Sequence, residues 1–470
     1  MLEFLRKLNG MIRLFVDAHN RSKFYAEYPG AQGQLCFDSL ESQAFRAYIS
    51  CMLLFCESKR LQVDAVIEKI REMAIYYQAA IPVEIYRRVY GDLRDAEIEY
   101  DLQTPDQDSV HITANGWKIA PKRQKFLVPK ESLPQVKPVA TCKSLLALLQ
   151  PFVNLSGDDY KLWVCWIVHC FCYGQHLGLV LSAEPGSGKT TLCKFSRAIL
   201  DPSDVDVVVF PDKIDDLRVN LAAVYMAAFD NVSMGAIRKD ASDLLCASIT
   251  GARSIKRALF TDAELAVLRL QNALIFNGVD VFPAEGDLAD RVILLHTKRL
   301  SAYQRRTDKD LLEAFEASLP EILGAICNTL VDAMKVLPTL NYISPFRMAE
   351  AYGNMLAIAV ALGIGQADFE RICKDNVNEI CKARAVNPTV EAVIEYMQRP
   401  GAKAKEEGFV QELYKKIREN YSGSTQYVAR SASAFSRKLR KETESLASSG
   451  ITVNFDDTGD KGTKMTIIKK

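Results

Sequence analysis

The residues of this sequence best suited to chemistry lie in one loop, Ala183-Glu184-Pro185-Gly186-Ser187-Gly188-Lys189-Thr190-Thr191. An apolar run, Leu179-Val180-Leu181, precedes it and a helical pattern through Leu200 follows, which is the setting a phosphate-binding Walker A loop requires. Gly186 and Gly188 let the backbone wrap so that its N–H groups, from Glu184 to Thr191, converge on the phosphate oxygens of ATP. Lys189 reaches the β- and γ-phosphates, and Thr190 offers a hydroxyl to Mg²⁺. Ala183 replaces the first glycine of the usual pattern, outside the working part of the loop. Further on, Val224-Tyr225-Met226-Ala227-Ala228-Phe229 ends in Asp230, a hydrophobic strand delivering a second metal ligand in the Walker B manner. Asn231 comes next; its amide can orient a water but cannot take its proton. Asp230, Glu184 and Asp216 remain the alternatives for a catalytic base.

Two further positions extend the site. The run Ala273-Leu274-Ile275-Phe276 ends in Asn277, a polar residue placed to position the attacking water. Arg291 closes Asp287-Leu288-Ala289-Asp290-Arg291. It is either a finger that touches the γ-phosphate of a neighbouring copy, or a structural arginine paired with Asp287 or Asp290. The first alternative needs a head-to-tail contact between copies, and such contacts can close into rings.

These residues need a parallel sheet to bring them together. Strands are predicted at Leu177–Ser182, Val205–Phe210, Val224–Phe229, Ala273–Phe276 and Val292–His296, alternating with helices, so the fold class is an α/β P-loop core. At 470 residues the chain exceeds one compact core. The predicted divisions are a mostly helical domain over 1–95, with helices at Ser42–Cys56 and Val63–Gln78, and a small β-rich segment with its linker over 96–140. The ATPase core then covers 141–300, a helical lid 301–385 and a C-terminal unit 386–470. The prolines from Pro121 to Pro138 mark a connector.

The net charge of +1 provides no global field for nucleic acid or membrane, so any basic surface is local. None of the twelve Cys forms a CxxC pair, and reduced, mostly buried thiols are expected. Met1–Gly10 lacks an apolar leader, and Leu162–Tyr173 is too short to span a bilayer. A cytoplasmic protein with no membrane partner is the expectation. Cys165, His169, Cys170, Cys172 and His176 lack paired metal-ligand spacing; a buried helix beside Trp163 and Trp166 accounts for them.

The order of these signals resembles AAA+ helicases of the superfamily 3 and MCM-like kind, above all ATPases encoded by phages, phage satellites and integrative elements. The phrases carrying the resemblance are Gly116-Trp117, Gly186-Ser187-Gly188-Lys189-Thr190, Asp201-Pro202, Phe229-Asp230-Asn231-Val232-Ser233, Asp243-Leu244-Leu245-Cys246, Thr250-Gly251, Asp287 to Arg291, Arg305-Arg306-Thr307 and Arg347-Met348-Ala349. The resemblance implies a hairpin before the Asn277 strand that grips DNA in the pore of a ring. Arg253, Lys256, Arg257 and Phe260 are its candidate DNA contacts, although Asp262 and Glu264 at the turn would repel phosphate. It also implies a second γ-phosphate sensor in the lid, for which Arg305, Arg306 and Arg347 are candidates.

The C-terminal unit reads as three helices and a two-stranded hairpin, Ile451–Phe455 with Met465–Ile468, and resembles a winged helix. Its third helix, Ser431 to Ser448, carries Arg437, Lys438, Arg440 and Lys441 away from its apolar stripe, and residues 411–440 hold seven Lys/Arg against two Glu. A recognition helix in a major groove, with Lys461 and Lys464 on the wing, would use that charge. The whole reads as an ATP hydrolase that uses Mg²⁺ and forms a homo-oligomeric, hexameric ring on DNA: a helicase or replication-initiation ATPase of a mobile element. Two alternatives stand beside it: a switch in phage defence or regulation that assembles on nucleotide without unwinding, and an origin-binding initiator that uses ATP only to assemble.

Overall fold

Five short apolar runs form one parallel sheet, as their texture predicts. The structure, a computed structural model, describes residues 2–31, 33–56, 61–182, 186–232, 237–251, 253–257, 265–278, 286–297, 307–385, 388–422, 428–429, 431–457 and 463–469. They divide into two compact units, Met1–Asp375 and Asn376–Lys470.

In the first unit the strands are β1 (Gly178–Ser182), β2 (Val208–Val209), β3 (Met226–Asp230), β4 (Ala273–Gly278) and β5 (Val292–His296), in the order β2-β3-β4-β1-β5. Every neighbouring pair is parallel. The predicted strand at Val205–Phe210 is cut to two residues because it lies at the sheet edge, paired on one side only. Around the sheet lie α1 (Lys189–Leu200), α2 (Ile214–Ala223), α3 (Lys239–Thr250) and the single turn α4 (Gly286–Ala289). Phe229 stacks on Phe276 at 5.8 Å, the kind of inward packing that makes these strands read as unbroken apolar runs.

The helices expected as a lid follow as α5 (Asp308–Val336), α6 (Ala349–Ala361) and α7 (Gln366–Ala385), the last of which crosses from the first unit into the second. Thr307 caps α5 by accepting from the Asp310 N–H, and Phe315 stacks on Phe195 of α1 at 4.1 Å. Among the described helices α5 alone is long and apolar enough to cross a membrane, and most of it is buried inside the fold.

The first 95 residues depart from the helical expectation. Helices Gln43–Phe55, capped by Ser42, and Val63–Tyr76 are present. Between Arg13 and Val83, however, strands Arg13–Asp17, Asn20–Pro29, Leu35–Ser39 and Ile81–Val83 build a four-stranded sheet. One face carries Leu14, Val16, Phe24 and Ala26 against the helices; the other carries Phe15, Tyr25 and Phe37, whose rings pack together. With both faces apolar, the two-residue alternation that signals a strand is lost. A separate antiparallel meander follows: Val89–Asp92, Glu97–Asp101, Asp108–Thr113 and Gly116–Pro121.

The proline-rich connector is fastened along its length rather than free. Leu133 N–H donates to Pro202 O, Gln135 N–H to Leu102 O and Val139 N–H to Pro320 O, at 2.8–2.9 Å. Gly324 of α5 permits the last approach, since a Cβ there would sit 1.8 Å from the Val139 carbonyl oxygen.

Asp201, at the C-terminal end of α1, collects four donors. Its Oδ1 accepts from Arg88 Nε at 3.1 Å; its Oδ2 accepts from Arg197 Nη1 at 3.3 Å and from the N–H groups of Tyr225 and Met226 at 3.1 and 3.0 Å. Burial alone would raise its pKa, but the Arg197 and Arg88 guanidiniums and the Met226 N–H hold it below the ordinary carboxylate value.

The second unit runs α8 (Pro388–Gln398), β6 (Lys405–Phe409), α9 (Val410–Glu419), α10 (Ala432–Lys441), α11 (Thr443–Ser448), β7 (Ile451–Asp457) and β8 (Thr463–Lys469). The single helix expected over Ser431–Ser448 is broken at Glu442, whose backbone leaves the helical region (φ −109°, ψ 25°). The strand β6 adds to the expected hairpin, giving the sheet order β6-β8-β7.

Replacing Asp201 with Asn strands two buried guanidiniums, and we expect a loss of roughly 3–5 kcal/mol in denaturant unfolding. Because the folded pKa is depressed, this stabilisation is complete above the unfolded value near 3.9 and is lost as pH falls through the lower folded value. Wild type and variant should therefore differ by a constant amount from pH 5 to 7 and converge below about pH 4. A gap that persists unchanged at pH 3 would refute this.

Candidate active site

The parallel register aligns the ends of the strands that carry the predicted residues. Leu181 pairs with Asn277 and Ser182 with Gly278, while Phe229 pairs with Phe276. The phosphate loop, Asp230 and Asn277 therefore share the C-terminal edge of the sheet, where ligands of α/β folds bind. Glu184 and Pro185 lie outside the described residues. Gly186 and Gly188 take φ of +76° and +81°, a region that a side chain there would strain. Asn154 Nδ2 donates to Ser187 O at 2.8 Å, and Ser187 and Thr297 hydroxyls meet at 2.9 Å, anchoring the loop from both sides. Sequence reasoning passed over Asn154 and Thr297, and no local pattern marks either one.

Lys189 opens α1 and is largely buried, so its pKa is pushed below the ordinary lysine range, with Asp230 opposing the shift. The Thr190 hydroxyl donates to Asp230 Oδ2 at 3.3 Å. These are two hard oxygen donors converging beside an anion-binding helix N-terminus, a set that suits Mg²⁺. Asn277 is buried, its Nδ2 3.4 Å from Cys193 Sγ one turn along α1, and burial pushes that thiol up to about 12. Its backbone oxygen accepts from Val232 N–H at 2.8 Å, fixing the turn after Asp230. Asn231 in that turn has φ of +53°, a left-handed conformation that Asn adopts at less cost than most residues. Asp216 lies in the first turn of α2.

Arg291 lies elsewhere. It precedes β5, and its carbonyl accepts from Gly178 N–H at the start of β1. The five paired residues of β1 and β5 separate it from the phosphate loop, about 13 Å along the strands. Its side chain is mostly buried, with Nη1 2.9 Å from Asp287 Oδ2 and 3.5 Å from Cys246 Sγ. The other Asp287 oxygen accepts from Arg347 of the lid. Together the hydrogen bonds and charges of Arg291 and Arg347 hold the Asp287 carboxyl below its usual range. Arg305 and Arg306 lie outside the described residues.

The expected hairpin is present as backbone. Arg253–Arg257 pairs antiparallel with Leu265–Arg269, directly after the Gly251 cap of α3 and before β4. Arg253, Lys256 and Arg257 occupy its first strand; Phe260 and the tip lie outside the described residues. In the second unit α10 buries Phe435 and Leu439 and exposes Arg437, Arg440 and Lys441. Arg440 lies over the Phe455 ring of β7 at 4.4 Å, and burial lowers the Lys438 pKa. Lys461 lies outside the described residues. The His and Cys cluster is packed within the fold: His169 and His176 Nε2 each lie 3.0 Å from a backbone carbonyl, and burial lowers their pKa values to about 4 and about 3. Among the described residues no group of three His, Cys, Asp or Glu could hold a metal.

No curated protein matches the chain in sequence. Among solved structures it is similar to the apo C-terminal region of NrS-1, at 10% identity and TM-score 0.41, over 99% of this chain and 98% of that one. It is similar to SCCmec type IV Cch, described as an active helicase, at 10% identity and TM-score 0.45, over 98% and 94%. It is also similar to the JCV helicase, at 16% identity and TM-score 0.26, over 51% and 66%. Likenesses this remote carry no argument about function. The sequence profile of one family matches residues 145–380, half of the chain, a span that includes residues 186–190, Asp230, Asn277, Arg291 and Arg347. The chain belongs to the actinomycete integrative conjugative element replication protein family.

Proposed function

We propose that the chain is an ATP-dependent DNA helicase that works as a ring, most simply of six copies, in the replication of a mobile element. One observation carries the reading: the phosphate loop with its metal-binding pair sits on one edge of the sheet, and Arg291 on the other. A guanidinium so far from its own loop would meet a γ-phosphate on another copy, and head-to-tail repetition of that contact can close a ring. The family assignment supports a role in replication.

In each site the loop N–H groups and Lys189 hold the triphosphate, and the Thr190 and Asp230 oxygens hold Mg²⁺, which offsets charge on the phosphates. Asn277 and Asn231 orient the attacking water. Arg291 of the next copy stabilises the charge that develops on the transferred phosphoryl group. Arg253, Lys256 and Arg257 on the hairpin neutralise the backbone of one DNA strand in the pore. The second unit, with its order helix, strand, helix, a further pair of helices broken at Glu442, and two strands, acts as a winged helix with α10 against duplex DNA.

The direct test is ATP turnover and strand displacement on forked DNA across a salt series. The expected result is turnover stimulated by DNA together with unwinding. Stimulation without unwinding would favour an initiator, and indifference to DNA would favour a switch. Lys189→Ala should abolish turnover, and Arg291→Ala should lower it by about 10³-fold or more while nucleotide binding persists. Full turnover by Arg291→Ala would end the in-trans reading. Arg437→Gln, Arg440→Gln and Lys441→Gln together should reduce the slope of log affinity against log salt for duplex DNA by roughly 2 to 3, as anisotropy titrations read it. An unchanged slope would remove α10 from the DNA surface.

A further inference from the structure

A cavity of about 130 Å³ lies where the N-terminal sheet meets the root of the hairpin, apart from the nucleotide site. Gln271, two residues beyond the hairpin strand Leu265–Arg269, forms part of its wall, and its Nε2 is tied to the Gly174 carbonyl. The same hairpin strand runs beside Asn20–Pro29 of the N-terminal sheet, which lends Lys23 and Tyr25 to the wall. Ala222, at the end of α2, and Tyr225, at the entry to β3, close the cavity from the core.

Its lining is aromatic and charged together. Tyr86 and Tyr173, also in the wall, meet edge to face at 5.0 Å. The Tyr225 hydroxyl donates to the Cys170 and Cys172 carbonyls at 3.1 and 3.2 Å, and the Tyr86 hydroxyl donates to Glu84, so these two residues have only rings to offer. Two cations, Lys23 and Arg87, stand against one carboxylate, Asp17. Asp17 and Arg87 act on the Tyr25 hydroxyl in opposite senses, the carboxylate adding to the rise that burial causes and the guanidinium opposing it. Lys23 is exposed, while Asp17 and Arg87 are half-buried, so the charged side of the cavity reaches solvent. A protein cavity of roughly 150 Å³ takes one benzene ring, which makes this one wide enough for a single aromatic heterocycle and too small for a peptide segment.

We propose that the cavity takes one nucleobase from the DNA strand that the hairpin grips, with the tyrosine rings packed on the base, the Asp17 carboxylate on its polar edge, and Lys23 and Arg87 on the neighbouring phosphates. The inference rests on the DNA reading of the hairpin and adds the N-terminal sheet to the grip. A base held at the hairpin's root fixes where the strand stands along it, which contacts to phosphates alone leave free to slide.

The test titrates the full chain with oligo(dT) and with an abasic oligomer of the same length, which keeps the phosphates and lacks the bases. The wild type should bind the abasic oligomer on the order of 10-fold more weakly. Ala222→Phe, which fills the cavity, should shrink that ratio and leave the abasic affinity as it was. Lys23→Gln should weaken both oligomers and lower the slope of log affinity against log salt by about 1. Irradiation of an oligomer carrying 5-iodouracil should cross-link the wild-type chain at Tyr25, Tyr86 or Tyr173, a readout that decides even if Ala222→Phe does not fold. Cross-links confined to residues 253–269, or a dT-to-abasic ratio that survives in folded Ala222→Phe, would overturn the inference and leave the hairpin's role standing. A wild-type chain that binds neither oligomer would end the DNA reading and this inference with it.

Discussion

The first unit is organised around one buried carboxylate. Asp201 ends the helix that begins at the phosphate loop, and its Oδ2 receives the N–H groups of Tyr225 and Met226, at the entry to the strand that ends at Asp230. The two motifs proposed to hold the nucleotide are thus joined at their far ends by one atom. The Arg88 guanidinium brings in the segment before the meander, since its remaining N–H groups reach the carbonyls of Asp101, Leu133 and Pro202 and the Ser132 hydroxyl. A buried ion pair is weak evidence of stability by itself; here its geometry sets where three segments lie.

The same parallel sheet separates two kinds of chemistry. Parallel strands put every C-terminal end on one edge, so the groups proposed to bind phosphate and metal collect there. The residue that follows a crossover and precedes a strand must lie on the opposite edge, and Arg291 is such a residue. The strand direction alone keeps Arg291 away from the phosphate loop of its own chain.

The core was legible because its strands are covered on both sides and read as unbroken apolar runs, and because the spacing within each motif is covalent. Lys189, Thr190 and Asp230 fall within reach of one another once the strands pair. Asn154 and Thr297 were illegible because the fold, not the sequence neighbourhood, brings them to Ser187. The N-terminal sheet hid behind apolar residues on both of its faces. The strand Lys405–Phe409, with the sequence Lys-Glu-Glu-Gly-Phe, carries no apolar pattern at all and takes its register from β8 alone. Of the two alternatives for Arg291, the pairing with Asp287 is present within the chain; the contact to a neighbouring copy belongs to the proposed ring.

The fastened connector has a mechanical consequence. A flexible tether lets an ATPase move while the segments upstream lag behind. Here the chain from Leu133 to Val139 is stitched first to the turn after Asp201, then to the meander, then to the long helix of the lid, where Gly324 lets backbone meet backbone. That helix and the segment before it are therefore held by short backbone bonds with no slack between them.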